Sequence, residues 1–126
     1  MFVHCSMKLE QQVVSLALAQ KLKELGVPQD CIFFWWVNPS GKAQLTHANE
    51  FGALHKAVFD GEYAAFTAAE LGEILKNGGA CSFYQGLWCC TYVSEDGRSH
   101  KEGADTEADA RAKMLVYLLE NKLITL

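Results

Sequence analysis

The sequence contains no apolar run longer than seven residues, so a membrane-spanning helix of about 20 is not expected. Its start, Met1 to Ser6, lacks the basic stretch and long apolar core of a signal peptide. Met7-Lys8-Leu9 reads as the more natural start, which makes residues 1–6 an extension of the single domain expected over 1–126. No Pro/Ser-rich linker or low-complexity tract divides the chain. A Gly-rich phosphate loop, GxSxG and HExxH are all missing, and with them the common signatures of phosphate binding, acyl transfer and zinc proteolysis. Positive charge is in short supply: 11 Lys and Arg stand against 15 Asp and Glu, for a net charge of -4. Nucleic-acid binders concentrate basic residues on a face or stripe, and none is evident here.

Cysteine is present but in no metal-binding pattern. There are five, an odd number, and no CxxC. Without an export signal, reduced thiols in a cytoplasm are expected. Cys89 and Cys90 are adjacent, so in a strand they point to opposite faces and cannot readily share one tetrahedral metal. His4-Cys5 is the other close pair of soft ligands, near the very start. No metal or other cofactor is expected.

What is there describes a globular chain. Half of the residues are hydrophobic, 21% are charged and 11% aromatic, enough to exclude disorder. Ser15 to Leu25 has helical spacing, with Leu18, Leu22 and Leu25 on one stripe and Ala19 beside it. Ser15 can cap it, Gly26 can take the left-handed position after it, and Pro28 prevents resumption. Leu9 and Val13 continue the spacing backwards, so its start is open. Cys31 to Val37 reads as a strand, Asn38-Pro39-Ser40-Gly41 as a turn and 43–48 as the returning strand. In 49–66, Phe51, Leu54, His55 and Val58 have helical spacing that Gly52 and Gly61 weaken; Tyr63 to Phe66 reads as a short extended piece.

Thr67-Ala-Ala-Glu70 is a capping box for a short helix bearing Leu71, Ile74 and Leu75. Residues 81–103 read as a meander, with turns at Gln85-Gly86 and Glu95-Asp96-Gly97. Trp88, Cys90 and Tyr92 share one face of its middle strand; Leu87, Cys89, Thr91 and Val93 share the other. A last helix runs from about Thr106 to Lys122, with Ala108, Ala112, Leu115 and Leu119 as its packing stripe and Leu118 alongside. Separate hairpins and helices imply an α+β fold: an antiparallel sheet of about five strands packed with about three helices, an arrangement compatible with an αβα sandwich.

The stretch "CIFFWWV" has no charge and no polar alternation. Phe33, Trp35 and Val37 point one way; Ile32, Phe34 and Trp36 point the other. Two large aromatics per face carry roughly 300–500 Å² of apolar surface, worth about 8–12 kcal/mol when covered. A typical monomer leaves no larger patch than this in water. Helices on both faces, a second chain or a small ligand can each supply the cover.

Conventional chemistry finds little support. His4, His47, His55 and His100 are spread through the chain with no carboxylate or Cys at a telling spacing, and read as surface or turn residues. Asp105, Glu107 and Asp109 fit the charge preference of a helix start. Cys89 and Cys90 read as small hydrophobes.

Two stretches, "SLALAQKLKELGVPQDCIFFWWV" and "AFTAAELGEIL" followed by "ADTEADARAKMLVYLLENKLI", resemble a family of small uncharacterised phage and prophage proteins. The likeness is most specific over the last 20 residues. It implies an accessory protein in a bacterial cytoplasm and no known activity, so no functional residue carries over. A looser analogy links the architecture to phage αβα-sandwich proteins.

The expectation is therefore a non-enzymatic protein that binds protein, as a homodimer, with Phe34, Trp35, Trp36, Trp88 and Tyr92 as its candidate interaction surface. The alternative is a small-ligand binder or enzyme with a pocket lined by Trp35 or Trp36 and Trp88. An aromatic stacking platform for nucleic acid would need Lys or Arg beside the rings, and "CIFFWWV" has none.

Overall fold

The computed structural model describes residues 8–47, 61–75 and 79–126. It is α+β, with four helices and six antiparallel strands among the described residues. The order is α1 (Leu9–Gln12), α2 (Leu16–Glu24), β1 (Phe33–Val37), β2 (Ala43–His47), β3 (Gly61–Ala64), α3 (Ala68–Leu75), β4 (Gly79–Tyr84), β5 (Leu87–Val93), β6 (Ser99–Ala104) and α4 (Glu107–Glu120). The strands form two three-stranded sheets, β2-β1-β3 and β4-β5-β6, where the sequence suggests about five strands in one. The additional strand is β3. It pairs with β1 from Phe34 opposite Ala64 to Val37 opposite Gly61. The helical spacing of Phe51, Leu54, His55 and Val58, the residues His4 and Cys5, and the extension 1–6 lie outside the described residues.

The helices end where local chemistry predicts. After α2, Gly26 has φ +88°, its N–H donates to Lys23 O, and the Val27 N–H donates to Leu22 O at 3.1 Å. This left-handed closure satisfies two carbonyls, and Val27 and Leu22 are both buried beside it. The α4 end closes in the same way with Lys122 at φ +56° and the Leu123 N–H on Leu118 O. The expected capping box of α3 is present: Thr67 N–H donates to Glu70 Oε1 at 2.9 Å, and Glu70 N–H to Thr67 Oγ1 at 3.2 Å. Thr106 caps α4 by accepting from Asp109 N–H.

Two readings need correction. Ser15 stands at the start of α2, but its side chain makes no capping bond; its N–H donates instead to Asp109 Oδ1 at 2.7 Å. That bond ties the start of α2 to the first turn of α4. The helical spacing of Leu9 and Val13 also does not extend α2. Val13 and Val14 are extended, forming a bridge to Thr67 and a Val14 N–H bond to Phe66 O. Tertiary pairing overrides the local period there.

The core runs through most elements. Leu22, Ala64, Phe66, Leu71, Cys90, Ala108, Ala112, Met114, Leu115 and Leu118 are all almost fully buried in it. Helix α4 packs against α2, α3 and the second sheet at once. This explains why Ala110 and Met114 are buried along with Ala108, Ala112, Leu115 and Leu118, while Leu119 of the expected stripe is only partly buried. Its three alanines, Ala108, Ala110 and Ala112, let the helix approach its neighbours closely.

Candidate interaction surface

The aromatic strand β1 is the centre of its sheet, so its backbone is paired on both sides. Trp36 is only 3% exposed within a single chain. Phe34 and Trp36 lie on one face with ring centroids 6.0 Å apart, and Thr46, directly across from Phe34, is buried too. On the other face, Trp35 is half-buried and its indole Nε1 donates to Val14 O at 2.8 Å. Phe33 meets the His47 ring edge-on at 5.5 Å. Tyr63, opposite Trp35, packs on the core, and Lys23 lies over its ring. Both faces of this strand are therefore substantially covered within one chain.

The second sheet differs. Pairing places Cys81 opposite Cys90 and Phe83 opposite Trp88, while Glu102 and His100 on β6 lie across from Cys90 and Tyr92. Cys90 is fully buried, and Trp88 and Tyr92 pack against the core, so this face is turned to the protein interior. The other face carries Tyr84, Leu87, Cys89, Thr91 and Val93. Tyr84 is 71% exposed, Val93 57% and Leu87 43%. Phe83, at the hairpin end of the inner face, is also 57% exposed, against the Trp88 ring. Lys101 is the one charged side chain among the strand residues of the outer face. Among the described residues, no strand pairs with the free edge of β4, whose sequence GACSFY has no charge and no proline.

The candidate residues Phe34, Trp35, Trp36, Trp88 and Tyr92 are thus divided between two sheets, and each is buried or half-buried. The exposed large apolar residues of the second sheet are Phe83, Tyr84, Leu87 and Val93; Ile32, just before β1, and Leu123 and Leu126, after α4, are exposed as well. Alternation along β5 separates its two faces, but only the packing of α4 decides which one is open.

The titratable groups do separate tasks. Arg111 pairs with Glu107 at 2.9 Å, Asp109 holds the Ser15 amide, and Asp105 is exposed, so the acidic residues form no common centre. His100 does have a carboxylate partner, contrary to the surface reading. Strand spacing puts Glu102 on its face, the two are hydrogen-bonded, and the imidazole stacks on Tyr117. An i, i+2 pair is a neighbour in a strand only, which is why the spacing is easily overlooked. Burial pushes the Cys31 and Cys90 thiols up to about 12. Among the described residues, no cluster of three or more His, Cys, Asp and Glu could hold a metal. No described helix is long and apolar enough to cross a membrane.

Shallow depressions mark the surface of the described residues. One of about 390 Å³ is lined by Gln20, Lys23, Glu24 and Tyr63. Another, of about 240 Å³, is lined by Tyr84, Gln85, Leu87 and Cys89. Neither contains a tryptophan. Comparison with known protein families, curated proteins and solved structures finds no match.

Proposed function

We propose that this chain is a non-enzymatic accessory protein of phage or prophage type, acting in a bacterial cytoplasm by protein binding, and that its first partner is a second copy of itself. The phage reading rests on the sequence resemblance of the last helix. The binding reading rests on one observation: the open apolar surface of the meander, formed by Tyr84, Leu87 and Val93 on its outer face and Phe83 at its hairpin end. Phe83, Tyr84, Leu87 and Val93 together leave roughly 400 Å² of apolar side chain in water, within the size of patches that serve as contact sites.

A stable interface takes about 800 Å² per partner. The face alone supplies about half of that. The uncharged edge of β4 supplies a second contribution, because two such edges can pair antiparallel about a twofold axis. The strand itself brings no like charges together, since GACSFY carries none. Phe34, Trp35, Trp36, Trp88 and Tyr92 support a partner surface less well, being covered already.

Light scattering over a concentration series tests the reading. The parent is expected at twice the chain mass, and a Leu87→Asp, Val93→Asp double variant at the single mass with its circular dichroism retained. A parent that stays monomeric throughout, or a folded variant that stays dimeric, would overturn it. The small-ligand alternative has less to draw on. The depression at Tyr84, Gln85, Leu87 and Cys89, about 240 Å³, is below the roughly 300–1,000 Å³ of ordinary ligand sites, and that at Gln20, Lys23, Glu24 and Tyr63, about 390 Å³, reaches this range but offers one aromatic ring and no tryptophan.

A further inference from the structure

Counting back from a turn reveals a pair of sulfurs. Gln85 and Gly86 both have positive φ, +52° and +82°, and join β4 to β5 in a two-residue turn of the mirror type. In such a hairpin the flanking pair, Tyr84 and Leu87, exchanges backbone hydrogen bonds. Pairs then alternate, so Phe83 and Trp88 do not, Ser82 and Cys89 do, and Cys81 and Cys90 do not. Non-hydrogen-bonded pairs are the closer kind, with Cα atoms about 4.5 Å apart and side chains nearest each other. A disulfide spans about 4.4–6.8 Å between Cα atoms.

The register sets Cys81 directly opposite Cys90, with both side chains on the face that α4 covers. We propose that Cys81 and Cys90 are a dithiol–disulfide site, closed reversibly by a low-molecular-weight disulfide such as oxidised glutathione. The two partners have different access. Cys81 is half-buried on an edge strand, while Cys90 has no exposed surface. Cys81 is therefore the entry point. Its thiolate attacks one sulfur of the small disulfide, releasing one thiol and leaving a mixed disulfide on Cys81. The Cys90 thiolate then attacks the Cys81 sulfur, releasing the second thiol. Two protein thiols are oxidised, one small disulfide is reduced to two thiols, and no other electron acceptor is needed.

The surroundings set the pace. Burial raises both thiols and slows the reaction, while Arg111, held by Glu107, acts on both in the opposite sense by favouring the thiolate. Cys89 cannot replace Cys90, since it points to the outer face. Cys31 is in another part of the fold, with its Sγ–H on Phe33 O. The closed bond would tie the edge strand β4 to the centre of its sheet on the face that α4 covers.

The test incubates the folded full chain with oxidised glutathione, alkylates the remaining thiols and measures intact and peptide masses. Cys89→Ser removes the neighbouring thiol and is the main background; Cys81→Ser is its control. In Cys89→Ser the expected result is loss of two alkylation sites, and cleavage after Tyr84 or Trp88 should leave peptides joined through Cys81 and Cys90 until a reductant is added. The joined form should melt at a higher temperature than the reduced one. The Cys81→Ser chain should form no internal link. Glutathione adducts without a link would overturn the proposal, as would a link confined to Cys89 or Cys31, or two thiols that both remain alkylatable.

Discussion

The two sheets are built on similar-looking central strands and meet opposite fates. FFWWV of β1 and LWCCTYV of β5 are both free of charge. Strand β1 is the more apolar, yet its Trp36 is 3% exposed. Strand β5 places the smaller Leu87 and Val93 outward, and they remain 43% and 57% exposed. Apolar content therefore does not report exposure. A continuous aromatic run states that both faces of a strand need cover, and here one chain supplies most of it. A strand alternating between large residues that pack on a helix and smaller ones that do not is where the open face lies.

The sharpest way to break this comparison is to treat both strands alike. Trp36→Ser removes a ring that is almost fully buried and is expected to cost about 3–5 kcal/mol, enough to unfold a domain of ordinary stability. Tyr84→Ser, at a side chain 71% exposed in the single chain, should change the monomer's stability by no more than about 0.5 kcal/mol at concentrations below dimerisation. Urea titrations of the two variants check this. Similar midpoints for both would mean that the contrast between a closed and an open sheet is mistaken.

A smaller effect belongs to the joint between the two regions. Glu70 serves two masters: Oε1 accepts from Thr67 N–H, and Oε2 accepts from Ile32 N–H at 3.1 Å, just before β1. Removing the Thr67 hydroxyl should cost about 1 kcal/mol, as for an ordinary cap. The capping box alone implies a smaller loss for Glu70→Ala. The second bond reverses that order, because two amides lose their acceptor, and a loss of about 1–2 kcal/mol is expected. Thermal melts of the two single variants would show which order holds. A milder effect for Glu70→Ala would remove the bond to Ile32 from the account.

Much of the fold can be read along the chain for reasons tied to local chemistry. Thr67 and Glu70 announce a helix start, Gly26 its predecessor's end, and Gln85-Gly86 a tight hairpin. These signals act over a few residues, so nothing distant can obscure them. Signals that depend on tertiary pairing are lost. The bridge from Val13 to Thr67 overrides a helical period, and β3 becomes a strand only by finding β1. The candidate surface suffered most. Selecting Phe34, Trp35, Trp36, Trp88 and Tyr92 follows ring size, but exposure depends on where the helices settle, and α4 settles over Trp88 and Tyr92. The pairing of Cys81 with Cys90 is different: it follows from the turn by counting.

The finest test of the comparison exchanges one hydroxyl for a methyl on each sheet. Thr46, opposite Phe34, is 7% exposed, and its hydroxyl has no hydrogen-bond partner among the described residues. A hydroxyl held in that state costs stability, because the unfolded chain bonds it to water. Thr46→Val keeps the branched shape that a strand favours and removes the polar atom, so a gain of up to about 1 kcal/mol is expected. Thr91 occupies a comparable place on the second sheet, in the middle of β5, but it faces outward and is only partly covered. Its hydroxyl is within reach of water, so Thr91→Val should leave stability within about 0.5 kcal/mol of the parent while enlarging the apolar patch. Chemical denaturation of both variants, side by side, measures the difference. Measured at concentrations where the chain is monomeric, a gain at Thr91 equal to that at Thr46 would mean that water is excluded from the outer face within one chain, and that the second sheet is closed where it is described as open.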